Sequence, residues 1–219
     1  MAQLFSREAS VRLNWLLLTV LVFVPVVGSA AWWALYHSPL RTRKNIPIEQ
    51  PIPFSHKHHA GELGIDCRYC HSTVDRSAFA GLPPIHTCMS CHSQVWKTSA
   101  VLEPVRAAAS TGIVLPWVRV NDLPQYVYFD HSAHVNHGIG CSTCHGRVDE
   151  METVSRAVAF DMRWCLACHR DPAKYVRPEN AVMTMDWSPA PNQLALGRKL
   201  VASYHIETKH LTDCVTCHR

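Results

Sequence analysis

A five-residue unit, Cys-x-x-Cys-His, occurs at Cys67–His71, Cys88–His92, Cys141–His145, Cys165–His169 and Cys214–His218, and it takes up all ten cysteines. No other feature constrains the chain as strongly. Three chemistries use paired cysteines. Cys67, Cys70, Cys88 and Cys91 have zinc-ribbon spacing, and Cys141, Cys144, Cys165 and Cys168 come close to it. An even number of cysteines in an exported chain also suits a disulfide framework. Neither chemistry asks for a histidine after every second cysteine. Covalent haem attachment does, because two thiols bond the porphyrin vinyl groups and the adjacent imidazole becomes the proximal iron ligand. The pattern therefore predicts five c-type haems. They are held by Cys67 and Cys70, Cys88 and Cys91, Cys141 and Cys144, Cys165 and Cys168, and Cys214 and Cys217. The proximal iron ligands are His71, His92, His145, His169 and His218.

Five haems set the fold class. Beyond the N-terminal apolar run there are about 36 residues per haem, too few to enclose five macrocycles in a conventional apolar core. The predicted architecture is a multihaem cytochrome c with little regular secondary structure, in which short helices and loops wrap the haems and one transmembrane helix precedes them. Fourteen prolines against nine glycines suit stiff, extended connections. A net charge of +4 with no dense Lys/Arg stripe excludes a nucleic-acid partner.

No charged residue occurs from Asn14 to Tyr36. The 22 residues Trp15–Tyr36 reach about 33 Å as a helix, enough to cross a bilayer. Trp15 stands at one end and Trp32, Trp33 and Tyr36 at the other, where interfacial aromatics belong. A cleaved signal peptide with Arg7 and Arg12 before it and a small-residue site near Gly28-Ser29-Ala30 is the competing reading. The span length and the tryptophans beyond that site favour a retained anchor. Basic residues flank both ends, so charge does not orient it. Haem attachment, which bacteria carry out outside the cytoplasmic membrane, puts residues 1–13 in the cytoplasm and the bulk of the chain in the periplasm.

After a linker at 37–53 the chain repeats itself. Phe54-Ser-His56-Lys-His58-His59 precedes Cys67, and Phe129-Asp-His131-Ser-Ala-His134 precedes Cys141. Each Phe-x-His-x-x-His block leads into two haem motifs, which reads as a duplicated two-haem module. The expected segments are the anchor at 14–36, a first module with its connector at 54–128, a second module at 129–192, and a terminal single-haem segment at 193–219. The connector should hold a short helix at Glu103–Ser110 and β-leaning pieces at Trp117–Val120 and Tyr126–Phe129, and a helix is expected over Gln193–Thr208. Histidines three apart fall on nearly one side of a helix and can serve two irons packed close together. His56 and His59, and likewise His131 and His134, are thus candidate sixth ligands for four irons, with His58 a bystander. A closed, six-coordinate iron suits electron transfer. For the fifth iron the candidate is Met162, just before Cys165, with Met185, His86, His137, His205 and His210 as alternatives.

With these residues in place, Phe54–His71 and Phe129–His145 resemble the class III multihaem cytochromes c. Ser55-His56-x-x-His59, Pro116–Val120, Tyr128–Asn136 and Trp164–Arg170 look like the membrane-anchored pentahaem subunits of alternative complex III. That resemblance implies a subunit passing electrons from membrane quinol oxidation towards a monohaem cytochrome c or a terminal oxidase, beside iron–sulfur and polytopic membrane subunits. The extra histidines at 86, 137, 205 and 210 fall outside the pattern. The alternative is a stand-alone membrane-anchored multihaem quinol dehydrogenase feeding a periplasmic reductase. A multihaem nitrite reductase fits less well, since those typically use a lysine-ligated haem and all five motifs here end in histidine.

Overall fold

The computed structural model of the chain describes residues 6–219. The start of the expected cytoplasmic segment, residues 1–5, lies outside the described residues. The chain divides into two compact units, one ending at Arg43 and the other spanning Lys44–Arg219.

The first unit is built on α1 (Arg7–Tyr36), 30 residues long and therefore about 45 Å from end to end. Ser6 caps it by accepting a hydrogen bond from the Ala9 amide at 3.2 Å. Pro25 sits inside it and Thr19 donates to the Trp15 carbonyl at 2.8 Å. None of its residues is buried, and leucine, valine and tryptophan face outward all round. A helix apolar on every side belongs in an apolar medium. By length and composition α1 can cross a membrane, a test that signal sequences also pass. It ends in the four-residue α2 (Pro39–Thr42), where Arg41 lies 3.8 Å over the Tyr36 ring and Arg43 turns left-handed at φ 55°.

The second unit has short helices and no strand among the described residues. They run α3 (Cys67–Cys70), α4 (Ile85–His92), α5 (Glu103–Thr111), α6 (His131–Asn136), α7 (Cys141–His145), α8 (Met162–Arg170), α9 (Gln193–Ser203) and α10 (Cys214–Cys217), with a π-helical turn at Lys57–Glu62. Each Cys-x-x-Cys is therefore one helical turn, which puts its two sulfurs on one side. The two β-leaning pieces do not pair as strands. At Val118 the side-chain amide of Gln50 takes the place of a neighbouring strand, accepting from the Val118 N–H at 2.9 Å and donating to its carbonyl at 3.0 Å. In the other piece a single bridge joins Val127 to His218. Helix α9 is shorter than expected. It stops at Ser203 because His205 adopts φ 55°.

Apolar burial is confined to small side chains: Ile52, Val74, Val105, Ala108, Ala173, Val176 and Val182. Val105 and Ala108 belong to α5, which packs on α4. Ala173 and Val176 lie beneath α9, which crosses at Gly197. A Cβ there would stand 1.8 Å from the Ala173 carbonyl oxygen, so only glycine lets the backbones meet. A unit of this length closed on its own apolar side chains would bury far more. What is arranged with care instead is the set of imidazoles beside the Cys-x-x-Cys-His turns.

Candidate haem sites

In both repeated blocks the residue before the first histidine starts the local turn. The Ser55 hydroxyl accepts from the His58 amide at 3.0 Å, and the Asp130 carboxylate accepts from the Ala133 amide at 3.3 Å. One phenylalanine organises each pair. Phe54 meets His56 edge-on, with centroids 4.9 Å apart, and stacks on His59 at 4.5 Å. Phe129 repeats this with His131 at 4.8 Å and His134 at 4.5 Å. The repetition survives a difference in backbone, since the first block is a π turn and the second an α-helix.

Each of these four imidazoles faces the histidine of a haem motif. His56 and His71 have centroids 6.5 Å apart with rings 3° from parallel, and His131 and His145 are at 6.4 Å and 4°. His59 faces His92 at 6.2 Å and His134 faces His169 at 6.1 Å. Two metal–imidazole bonds of about 2 Å, with about 1 Å from each nitrogen to its ring centre, come to about 6 Å. The four gaps therefore match one iron held between two imidazoles. Among the described residues no three or more His, Cys, Asp or Glu side chains gather as another kind of metal site.

The tautomers agree with this fit. Nδ1 of His59 lies 2.8 Å from the Ser55 carbonyl, and that of His134 lies 2.7 Å from the Asp130 carbonyl, each one turn back. His131 reaches the Ala78 carbonyl, His71 that of Gly81 and His169 that of Leu211, all at 2.8 Å, and His92 reaches Val95 at 3.2 Å. A carbonyl can only accept, so each Nδ1 carries the proton and Nε2 keeps its lone pair for a metal. His145 Nδ1 lies 3.0 Å from the Asn121 side-chain nitrogen, whose oxygen is buried without a partner. Turned over, that amide accepts from Nδ1–H through its oxygen, which gives His145 the same tautomer. His56 is the exception, with a buried Nδ1 that has no partner. Burial, with the facing His71, lowers His56 to about 4, and burial with the facing His131 does the same to His145. Both are neutral at ordinary pH, the form that ligates iron.

The fifth motif differs. The ring against His218 is Tyr126, at 5.9 Å and 23°, and among the described residues no second imidazole faces it. Met162 opens α8 one turn before Cys165, and burial, with a smaller effect of Cys217 from the fifth motif, raises the Cys165 thiol. His86 and His205 are exposed. His210 is turned to Asp213 at 2.8 Å, and His137 donates to the Ala133 carbonyl. His58 lies against Glu62 at 2.9 Å and stacks on Trp96 at 6.3 Å.

Sequence reasoning missed Arg177, which is 2% exposed and lies against the third motif. Its guanidinium donates to the Ala181 and Thr184 carbonyls at 3.3 and 3.1 Å, and to Ser142 and Thr143 inside Cys-Ser-Thr-Cys at 3.3 and 2.9 Å. It lies 4.3 Å over the Trp187 ring. Gly140 makes room for it, since a Cβ there would fall 2.0 Å from the guanidinium carbon. The available signal was weak: one arginine between Val176 and Pro178, in a stretch otherwise uncharged from Tyr175 to Pro178.

Comparison with known proteins gives two family matches. Residues 127–219 match cytochrome c7 and related cytochromes c, and residues 35–108 match the class III cytochrome c family. The chain is also 31% identical over 190 residues to the multihaem cytochrome c subunit of menaquinone reductase from Nitratidesulfovibrio vulgaris, an alignment covering 85% of this chain and 73% of that protein.

Proposed function

Because the chain belongs to the class III multihaem cytochromes c and has five Cys-x-x-Cys pairs for covalent c-type haems, we propose that it is the electron-transfer subunit of a membrane-bound, menaquinone-linked oxidoreductase. In this role it exchanges electrons between the quinone-reactive part of the complex and a periplasmic redox partner. The observation that carries the reading is the set of four facing imidazole pairs, at 6.1–6.5 Å, between the repeated blocks and the haem motifs. What bound haem supplies between two imidazoles is a one-electron iron couple with no open position for substrate. The protein's part is to keep those imidazoles neutral, oriented and close. His56, His59, His131 and His134 complete the irons of His71, His92, His145 and His169 in this proposal. Met162 completes that of His218, supported by its place one turn before Cys165. The backbone carbonyls hold the ring planes, and Phe54 and Phe129 brace one pair each.

The helix α1 anchors this subunit in the cytoplasmic membrane, with the haem-bearing unit in the periplasm. Mass spectrometry of the mature protein tests the anchor: a start at or near Met1 supports it, and processing near Ala30 refutes it. The relative's role in a menaquinone reductase favours a quinone-linked complex of that kind over alternative complex III. The second reading keeps one specific support, the resemblance at Pro116–Val120, Tyr128–Asn136 and Trp164–Arg170. Purification in mild detergent separates the two. Partners that reduce menaquinone from a periplasmic cytochrome support the first reading. Partners that pass quinol electrons to a monohaem cytochrome or a terminal oxidase support the second. A cytochrome that purifies alone with no quinone-dependent activity in the membrane refutes both.

A further inference from the structure

Chain order and spatial order differ in this protein. Motifs one and two are joined directly, because the Tyr69 hydroxyl of the first meets Ser90 of the second at 2.7 Å. Their facing partners, His56 and His59, also share one turn. Motifs three and four are joined in the same way, since His131 and His134 share α6. The two modules meet through motifs one and three. The loop after His71 accepts from α6, with the Ala78 carbonyl taking His131 Nδ1 at 2.8 Å and the Asp75 carbonyl taking Asn136 at 2.9 Å. Glu152, seven residues past His145, also ties the modules, binding Ser55 at 2.7 Å and Lys57 at 3.0 Å. Motif five meets the fourth motif and the end of the connector, where the Cys217 carbonyl accepts from the Tyr128 amide at 2.7 Å. Leu211, three residues before Cys214, accepts from His169 Nδ1 at 2.8 Å.

We infer that the attachment motifs are strung in one unbranched order, Cys88–His92, Cys67–His71, Cys141–His145, Cys165–His169 and Cys214–His218, and that the first and last are where redox partners exchange electrons. Exposure agrees. Of the ten cysteines only Cys91 and Cys214 are exposed, one from each terminal motif. The segment leading in from the first unit is tied down near the middle of the order. The Asn45 amide donates to Arg156 at 2.8 Å and the Ile48 amide to Val154 at 3.2 Å, just past the third motif. Neither terminal motif is therefore covered by this segment. A partner at either end gives or takes one electron per encounter, with no bond made and no proton moved.

The inference rests on the proposed electron-transfer role, yet it can fail separately from it. The test is to locate the five irons in the full-length holoprotein, by electron cryo-microscopy of the detergent-solubilised complex or by anomalous scattering at the iron edge. The expected result is one line in which the irons of His92 and His218 each have a single close neighbour. Their neighbours should be the irons of His71 and His169, and the central neighbours should be those of His71 and His145. A branch, or His92 or His218 at an interior position, overturns the order. If the order holds but the complex exchanges no electrons with menaquinol, the functional reading fails and the placement stands.

Discussion

Replacing Arg177 with methionine tests how the second module is held against its first haem motif. The guanidinium is buried, has no carboxylate partner among the described residues, and its two terminal nitrogens donate to two carbonyls and two hydroxyls while Nε–H has no partner. Methionine fills much of the volume and donates to none of them. Ser142 and Thr143 can turn their hydroxyls elsewhere, and the Ala181 carbonyl keeps the Thr184 amide at 3.2 Å, but the Thr184 carbonyl cannot move without its loop. That carbonyl left unpaired costs about 1–3 kcal/mol, and the Trp187 ring loses a desolvated cation worth about 2 kcal/mol. Against that, the variant no longer buries a cation, which returns about 3 kcal/mol. The balance is a loss of about 1 kcal/mol. For a unit of this size, about 2–4 °C per kcal/mol gives a fall in Tm of about 2–4 °C. Thermal unfolding of the detergent-solubilised holoprotein, followed by circular dichroism, reads it. Arg177→Lys keeps the charge but cannot reach all four acceptors, and should fall by about half as much. A methionine variant within about 1 °C of the parent would refute the reasoning, because the acceptors would then need no donor from this side chain.

Other expectations concern single contacts. Gly197→Ala forces α9 off the Ala173 carbonyl and should destabilise the unit by about 3 kcal/mol, read in the same melts, whereas the exposed Ala202→Gly should cost no more than about 1 kcal/mol. Phe129→Leu removes the ring that stacks on His134 and abuts His131, so the electron paramagnetic resonance g-values of two haems should shift while Phe129→Tyr restores them; unchanged spectra would remove Phe129 as a positioning residue. Met162→Leu should shift the potential of one haem in a redox titration, and an unaltered titration would exclude Met162 as a ligand. Asp149 is held below the usual carboxylate range by its hydrogen bonds to Arg147. Its stabilisation is present above the unfolded value near 3.8 and is lost as pH falls through the lower folded value. Asp149→Asn should thus be less stable at pH 7, with the gap closing at the acid end of a pH series of melts.

The haem motifs and their facing histidines were legible because each rests on local spacing: a helical turn puts two cysteines together, and three residues separate two imidazoles on one side. Phe54 and Phe129 were visible as repeats, although the pattern did not say that one backbone would be a π turn. Contacts made across long stretches of chain were not legible. Trp117–Val120 has strand-forming residues, yet its hydrogen bonds go to the Gln50 side chain, which no periodicity can announce. Arg177 looks like a surface charge until Gly140, Ser142 and Thr143 come to it from 34 to 37 positions away. The order of the motifs depends on His131 finding the Ala78 carbonyl and His169 that of Leu211. Neither acceptor is marked in the sequence, because every residue has a carbonyl.

The most direct test of the proposed function is the absorbance change of the haems when the membrane complex is mixed anaerobically with a menaquinol analogue. The account predicts reduction of the haems, reversed by a menaquinone analogue together with an oxidised periplasmic cytochrome and blocked by an inhibitor of the quinone site. Haems that dithionite reduces fully, but that stay oxidised with menaquinol and do not pass electrons to menaquinone when pre-reduced, would contradict it.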